Sequence, residues 1–274
     1  MTLKTRNTLT KYLFFASLLI TAMLITLFII AIFTQSVTPP TTLRLVHLPD
    51  TLVLTQYNFI ATMITAAVLV LYVPAMLFIV LRFFENTQSV EVIFFCGVLL
   101  GCLCEGARTL IPLFGIWQSY SLLLFFVSRI IFAGRLMVPL FFFATAALSD
   151  TEQRQEVERN FFIMLALATV IATAMPMNTA QTTTTCTVIA GFSSIATVIR
   201  LLIFIITGGT FYINARKHDI PELKRITIFY SILTIGYLLL TIADNFLLMG
   251  IGTIFLVLGT LQFLRNLHRL YMWK

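Results

Sequence analysis

The sequence predicts an all-α fold, a polytopic transmembrane helix bundle of about eight spans with both termini cytoplasmic. Of the 274 residues, 59% are hydrophobic and 11% are charged, and the mean hydropathy is +0.98. A soluble fold has too little interior to bury so much apolar surface. The apolar residues also form eight runs near the length of about 20 residues that a bilayer requires, and the basic residues fall almost entirely between alternate pairs of runs.

The eight runs divide the chain from end to end and leave no room for a soluble domain. Residues 1–274 are therefore predicted to form a single integral membrane domain. Residues 226–264 are almost continuously apolar, and Gly250-Ile-Gly252 is the expected turn within them. The predicted spans are 12–33, 55–81, 91–113, 120–147, 160–177, 188–213, 226–249 and 253–268.

The distribution of lysine and arginine predicts the orientation of the bundle. With eight spans and a cytoplasmic N-terminus, thirteen basic residues lie in cytoplasmic segments, Arg44 alone lies in an outer loop, and four arginines lie within spans. Cytoplasmic loops of membrane proteins carry such an excess of basic residues. Both termini are therefore expected to be cytoplasmic. Because this arrangement explains the net charge of +7, we expect no nucleic-acid partner.

Two charged residues, Glu105 and Arg108, lie in the third span away from its first residue, within an otherwise apolar stretch. At helical spacing they share one face with Gly97 and Gly101. Glycines four residues apart let another helix approach closely, so this face is expected to meet a neighbouring span rather than lipid. An unpaired charge in mid-membrane costs about 2.5–3.5 kcal/mol. Glu105 and Arg108 are therefore predicted to form a structural ion pair.

Four further charged residues lie in the spans, more than three residues from either end: Arg129 and Arg135 in the fourth, Arg200 in the sixth and Asp244 in the seventh. With the pair in the third span, four arginines face two carboxylates, which leaves about two guanidinium groups without a counter-charge. Buried guanidinium groups in this state bind anions, backbone carbonyls or water. These four residues are the candidate ligand-binding residues, with Arg135 and Arg200 as the floor of a cavity in the outer half. The alternative is that the arginines only join helices.

Pro139 is expected to contribute to the same site. A proline cannot donate a backbone hydrogen bond, so the carbonyl of Arg135 is freed in the preceding turn. With Gly134 beside Arg135, this favours a kink in the fourth span. Interrupted helices in mid-membrane form binding sites in transporters. Pro74 in the second span is interpreted as an ordinary membrane proline.

Residues that several membrane chemistries require are missing from the predicted spans. No lysine lies in a span, which excludes a retinal-type Schiff base. The histidines His47, His218 and His268 lie in loops or near the C-terminal end, so no metal or haem site is expected. The four cysteines are too few for a disulfide framework, and no phosphate-binding loop is present. We therefore expect neither enzymatic activity nor a cofactor.

Three functions remain open at this point. The first is a carrier, or the membrane subunit of one, that binds a small anion or a lipid headgroup through the arginines. The second is a receptor-like sensory or assembly module that signals through a protein partner at the cytoplasmic loops. The third, ranked last, is a lipid-modifying enzyme. In each case the chain is expected in the lipid bilayer of the cell membrane.

The outer loop 34–54 favours the second hypothesis because it is long enough to take part in ligand binding. Its prolines stiffen it, and its apolar residues form a surface that can be buried. The loop is therefore expected either to fold over the bundle or to lie on the membrane surface. In the first case Arg44 and His47 would lie at the mouth of the cavity.

Overall fold

The computed structural model describes residues 3–34, 37, 39, 42–43, 53–85, 87, 89–119, 121–148 and 157–272. Within these ranges, eight helices are long and apolar enough to cross a membrane, the number that the sequence predicts. Many of their large apolar side chains point outward, and Phe33, Leu122 and Ile205 are 84%, 72% and 68% exposed. Only a bilayer suits such a surface. The protein is an integral, multi-pass membrane protein.

The described chain alternates between long helices and short connections. Helix α3 continues through a five-residue 3-10 segment into α4, and these three pieces together make the third crossing. The helices are α1 (Leu3–Phe33), α2 (Phe59–Phe83), α3 (Val90–Cys104), the 3-10 segment (Glu105–Thr109), α4 (Leu110–Leu113), α5 (Ile116–Ser119), α6 (Ser121–Ala147), α7 (Val157–Ala174), α8 (Ser193–His218), α9 (Pro221–Ile242) and α10 (Phe246–Met272), with a short 3-10 turn at Val53–Thr55. The strands are β1 (Thr42–Leu43), β2 (Met177–Thr183) and β3 (Val188–Ala190).

Both ends of the described chain lie at one face of the bundle. Arg6, near the start of α1, donates hydrogen bonds to the carbonyls of Phe84 and Thr87 in the α2–α3 connection. Tyr271, near the end of α10, donates to the carboxylate of Glu91 at the start of α3. We call this the terminal face. The opposite face carries the strands, and we call it the hairpin face.

A small sheet at the hairpin face departs from the all-α prediction. Strand β1 pairs in parallel with β2, and β2 pairs antiparallel with β3. The strands take residues that the sequence assigns to the ends of the spans 160–177 and 188–213, so α7 ends earlier and α8 begins later than predicted. Threonine is β-branched and favours extended backbone, which suits Thr182 and Thr183 at the end of β2, and Thr184 and Thr185 lie in the turn that follows.

Strand β1 belongs to the loop 34–54, which the sequence predicts to be an outer loop, and its pairing with β2 holds Thr42 and Leu43 against the hairpin. This agrees with the expectation that the loop folds over the bundle. Arg44 and His47 lie outside the described residues, as does most of the connection 148–160, which the sequence predicts to be cytoplasmic.

The predicted turn between the last two spans is wrong. Helix α9 ends at Ile242 and α10 begins at Phe246, so the turn lies at 243–245 and the segment Gly250–Gly252 is helical. Polar chemistry fixes this turn, because the Asn245 side chain accepts a hydrogen bond of 2.9 Å from the backbone N–H of Leu248 and caps α10.

Glycines in α9 and α10 serve close helix packing instead of the turn. A Cβ atom at Gly236 would lie 2.4 Å from the backbone nitrogen of Leu256, and one at Gly259 would lie 2.7 Å from the backbone nitrogen of Leu233. Atoms cannot approach so closely, so only glycine allows the two helices to pack as they do. The hydropathy of this region therefore reflects two antiparallel helices in direct backbone contact.

Helices α3 and α6 cross at a pair of glycines, and this crossing positions the candidate site. A Cβ atom at Gly101 would lie 2.8 Å from the carbonyl oxygen of Gly134, and one at Gly134 would lie 2.6 Å from the carbonyl oxygen of Gly101. A Cβ atom at Gly97 would meet the ring of Phe141 at 2.6 Å. The prediction that this face of the third span meets a neighbouring helix is confirmed.

Candidate functional site

A cleft of about 380 Å³ lies between α6, α8 and the β2–β3 hairpin. It is open on one side and occupies the half of the bundle nearer the hairpin face. No carboxylate is found among the described residues that line it. Its polar lining consists of two arginines and five hydroxyl-bearing residues: Arg135, Arg200, Thr183, Thr187, Ser193, Ser194 and Thr197.

Arg135 reaches the cleft from α6 and is anchored on both sides. Its guanidinium donates two hydrogen bonds to the carboxylate of Glu105 in the neighbouring span, of 2.6 Å from Nε and 3.3 Å from Nη2. The same Nη2 donates to the backbone carbonyl of Thr241 at 3.3 Å. Carbonyls in the last turn of a helix have no intrahelical partner, so Arg135 also caps the end of α9. One side chain thus joins the third span, α6 and α9.

The close partner of Glu105 differs from the expected one. The structural ion pair with Arg108 is present, but the nearest nitrogen-to-oxygen distance is 3.8 Å, which is too long for a hydrogen bond. Arg135 was expected with Arg200 to line the cavity as one of about two guanidinium groups without a counter-charge, but Glu105 binds it directly. The reason is the Gly101–Gly134 crossing, which brings the two helix backbones close enough for their side chains to meet.

Arg108 is the least satisfied charge in the described part of the chain. Its side chain is fully buried, and none of its three guanidinium nitrogens has a hydrogen-bond partner there. The 3-10 geometry places it directly above Glu105, because residues three apart eclipse one another in such a helix. Glu105 therefore shares its charge between two arginines, with the hydrogen bonds on Arg135 alone.

Arg200 lines the cleft from α8. Because α8 begins at Ser193 instead of residue 188, the predicted start of the span, Arg200 lies about 10 Å from the start of its helix and not about 18 Å. It donates one hydrogen bond of 3.1 Å to the hydroxyl of Thr197. Its Nε is buried without a partner, and no carboxylate pairs with it among the described residues. This guanidinium keeps its charge available to the cleft.

The N-terminus of α8 also faces the cleft. Its first residues, Ser193 and Ser194, are part of the lining, and the residue before them, Phe192, provides no side-chain cap. The first N–H groups of a helix lack intrahelical acceptors and carry a partial positive charge. They add to the positive potential that the two arginines set up.

Arg129 and Asp244, which the sequence groups with these arginines, lie outside the cleft. The guanidinium of Arg129 stacks on Phe125 of its own helix, 3.9 Å from the ring centre. Asp244 lies in the α9–α10 turn, yet its side chain is buried instead of solvated. Its carboxylate accepts hydrogen bonds from the Thr184 hydroxyl at 3.1 Å and from the Asn245 amide at 3.0 Å. Asp244 therefore holds the hairpin to the turn.

The hairpin forms the roof of the cleft through a network of threonine hydroxyls. The hydroxyl of Thr183 lies 2.8 Å from that of Thr187 and 3.0 Å from that of Thr185. Cys186 occupies the tight turn with a positive φ of 54°, and its side chain is fully buried. Burial raises the pKa of the Cys186 thiol to about 12, although the nearby Arg108 acts to lower it.

Sequence reasoning missed the hydroxyl residues of the cleft. The run Thr182–Thr185 is interpreted from the sequence as part of a connection, whereas all four side chains are buried. The signal was available, because four β-branched residues in a row are unusual for an exposed turn and favour a strand. Ser193, Ser194 and Thr197 were hidden inside a predicted span, where small hydroxyl residues are common.

Comparison of the chain with known protein families, curated proteins and solved structures found no match.

Proposed function

We propose that this protein is a carrier, or the membrane subunit of one, that binds a small anion in the cleft between α6, α8 and the hairpin. The observation that carries the proposal is that Arg135 and Arg200 line one cleft whose described lining has no carboxylate. The hydroxyl groups and the start of α8 supply further donors, and anions bind where such donors converge.

The balance of charge supports an anion rather than a cation or a neutral ligand. Glu105 forms ion pairs with both Arg135 and Arg108, so its single negative charge offsets only one of their two positive charges. Arg200 has no such partner among the described residues. Since a water molecule takes about 30 Å³ in the liquid, the volume of the cleft suits an anion of several heavy atoms, such as sulfate, phosphate or a short carboxylate.

In the proposed orientation the terminal face is cytoplasmic and the cleft opens in the outer half of the cell membrane. The basis is the charge distribution in the sequence: thirteen basic residues fall in the segments predicted to be cytoplasmic and one in a predicted outer loop. An anion from outside would then enter at the hairpin face.

The alternative function is a receptor-like module that binds the anion and signals through a protein partner. It is favoured by β1, because this strand ties the outer loop 34–54 to the hairpin that roofs the cleft. A change in the cleft would then reach the outer surface. Transport and sensing share the same binding step and differ in whether the anion crosses the membrane.

The binding step is tested by thermal unfolding of the purified protein with added sulfate, phosphate, nitrate or succinate. An anion at about 100 times its Kd stabilises the folded state by about 2.7 kcal/mol. Arg200→Gln should keep the ligand-free melting temperature and lose this response. The matched control is Arg129→Gln, which removes a charge outside the cleft and should retain the response. If none of these anions stabilises the wild-type protein, the proposal is wrong.

Flux separates the two functions. The protein is reconstituted in phosphatidylcholine vesicles, and uptake of the stabilising anion, carrying a radiolabel, is followed with and without an imposed potential. Uptake that Arg200→Gln abolishes supports the carrier. Binding without uptake would favour the receptor-like module, or a transporter subunit that needs its partner.

A further inference from the structure

A second cavity, of about 460 Å³, lies at the terminal face between the ends of α2 and α10. It is separate from the cleft, since no residue lines both. Its inner wall is apolar and is formed by Ile79 and Phe83 of α2 and by Leu261 and Leu264 of α10. A wall of this kind at the outside of a membrane helix pair suits a hydrocarbon chain.

The rim of this cavity is basic. Arg265 and Arg269 are four residues apart, so their side chains lie on one face of α10 one turn after the other. Both are exposed, and neither has an ion pair or hydrogen bond among the described residues. No carboxylate is found in the described lining. Two positive charges are therefore free to meet one negative group.

His268 completes the rim in a fixed position. Its ring lies edge-on to Phe84, with 5.4 Å between ring centres, and to Phe83, with 6.1 Å between ring centres. Its Nδ1 is buried without a hydrogen-bond partner. The imidazole is thus held beside the two arginines by aromatic packing, with a polar atom that lacks a partner.

We propose that this cavity binds an anionic phospholipid, with the phosphate between Arg265 and Arg269 and an acyl chain along the Ile79–Leu261 wall. The depth fits, because Arg269 lies three residues before the end of α10, at the level where helix ends meet headgroups. Free phosphate would use the arginines but not the apolar wall, and the presence of both argues for the lipid. This proposal is independent of the function of the cleft.

The test is lipid retention by the full-length protein. Wild type and variants are reconstituted in nanodiscs of phosphatidylglycerol mixed with phosphatidylcholine, released into detergent, and analysed by native mass spectrometry. We expect wild type to retain phosphatidylglycerol in preference to phosphatidylcholine. Each arginine near a headgroup contributes roughly a fivefold preference, so Arg265→Gln/Arg269→Gln should lower the retained ratio by more than tenfold.

The matched control is Arg216→Gln/Arg225→Gln, which removes the same charge from the terminal face but outside the cavity and should retain the lipid. Leu261→Gln tests the apolar wall and should also lower retention, with both arginines in place. Equal retention by wild type and the Arg265→Gln/Arg269→Gln variant would overturn the proposal. So would stabilisation of the lipid-free Arg200→Gln variant, whose cleft is expected not to bind anions, by inorganic phosphate that equals the effect of phosphatidylglycerol and that Arg265→Gln/Arg269→Gln abolishes, since the site would then take the free ion.

Discussion

Glu105 in the third span binds Arg135 in α6 through two hydrogen bonds, although Arg108 lies only three residues away on its own span. The contact joins two residues that lie 30 positions apart in sequence, one in the third span and one in α6. It also fixes the guanidinium that forms one wall of the cleft. The roles of the two arginines are therefore different: Arg135 is both structural and exposed to the cleft, and Arg108 is buried behind it.

We expect the coupling free energy between Glu105 and Arg135 to exceed that between Glu105 and Arg108. A hydrogen bond to a charged group contributes about 1.5–3 kcal/mol, and the first pair has two while the second has none. The measurement is a pair of double-mutant cycles with Glu105→Gln, Arg135→Gln and Arg108→Gln, followed by reversible unfolding in mixed micelles. Glu105→Gln alone should lower the free energy of unfolding by about 3–5 kcal/mol, because it leaves two buried arginines without a carboxylate. Equal coupling energies would show that the hydrogen bonds contribute nothing beyond proximity.

Gly101→Ala should destabilise the protein by about 1–3 kcal/mol, because its Cβ would lie 2.8 Å from the carbonyl oxygen of Gly134 and would force α3 and α6 apart. Gly250→Ala is the matched control, since nothing lies within 4 Å of its Cβ position and alanine favours a helix by up to about 1 kcal/mol. The melting temperatures of both variants are compared with that of wild type. If Gly250→Ala lowers the melting temperature and Gly101→Ala does not, the close packing described for α3 and α6 is wrong.

Cys186 should report on the seating of the hairpin. The thiolate is the reactive form, and a pKa of about 12 keeps the thiol protonated far above the usual value of about 8.5. Maleimide labelling of residue 186 should therefore be slow in the wild type from about pH 7 to about pH 9. Asp244→Ala removes the acceptor for the Thr184 hydroxyl and should loosen the hairpin and speed the labelling. Peptide mass spectrometry identifies the labelled cysteine, and unchanged protection in the variant would mean that Asp244 does not hold the hairpin.

The prediction that both termini are cytoplasmic can be tested with introduced cysteines. Gln181 is exposed on the hairpin, and Asp219 is exposed in the α8–α9 turn at the other end of α8. In intact cells, an impermeant maleimide should label Gln181→Cys and leave Asp219→Cys unlabelled until the cells are opened. The reverse pattern would place the cleft on the cytoplasmic side and would invert the direction of the proposed function.

The parts of the fold that depend on local pattern could be predicted from the sequence. The number of spans follows from hydropathy, and the packing face of the third span follows from the spacing of Gly97 and Gly101 with Glu105. The partner of Glu105 could not be predicted, because it depends on which helix crosses at Gly101, and one sequence contains no such information. The assumption that Glu105 pairs mainly within its own span was therefore wrong, because its closer contact is with Arg135 of α6.

The turn between α9 and α10 and the hairpin of β2 and β3 were predicted wrongly for related reasons. Between 226 and 264 the apolar residues are almost continuous. Glycine is usual both at turns and at helix contacts, so Gly250 and Gly252 do not distinguish a turn from a packed helix. The turn lies instead at the buried polar pair Asp244–Asn245, which hydropathy alone assigns to the interior of a span. The hairpin was missed because its threonines satisfy one another, and such a network depends on the folded arrangement.

The 3-10 segment at Glu105–Thr109 also rotates the last part of the third span. Each residue of a 3-10 helix advances about 120° around the axis, compared with about 100° in an α-helix, so five residues accumulate a phase difference of about 100°. The side of the helix that packs against α6 before Glu105 is thus different from the side that does so after Thr109. Ile111 can therefore enter a second, smaller apolar cluster with Leu124 and Ile131 of α6. A single span in this way serves two separate cores, and the charged residues occupy the point of rotation between them.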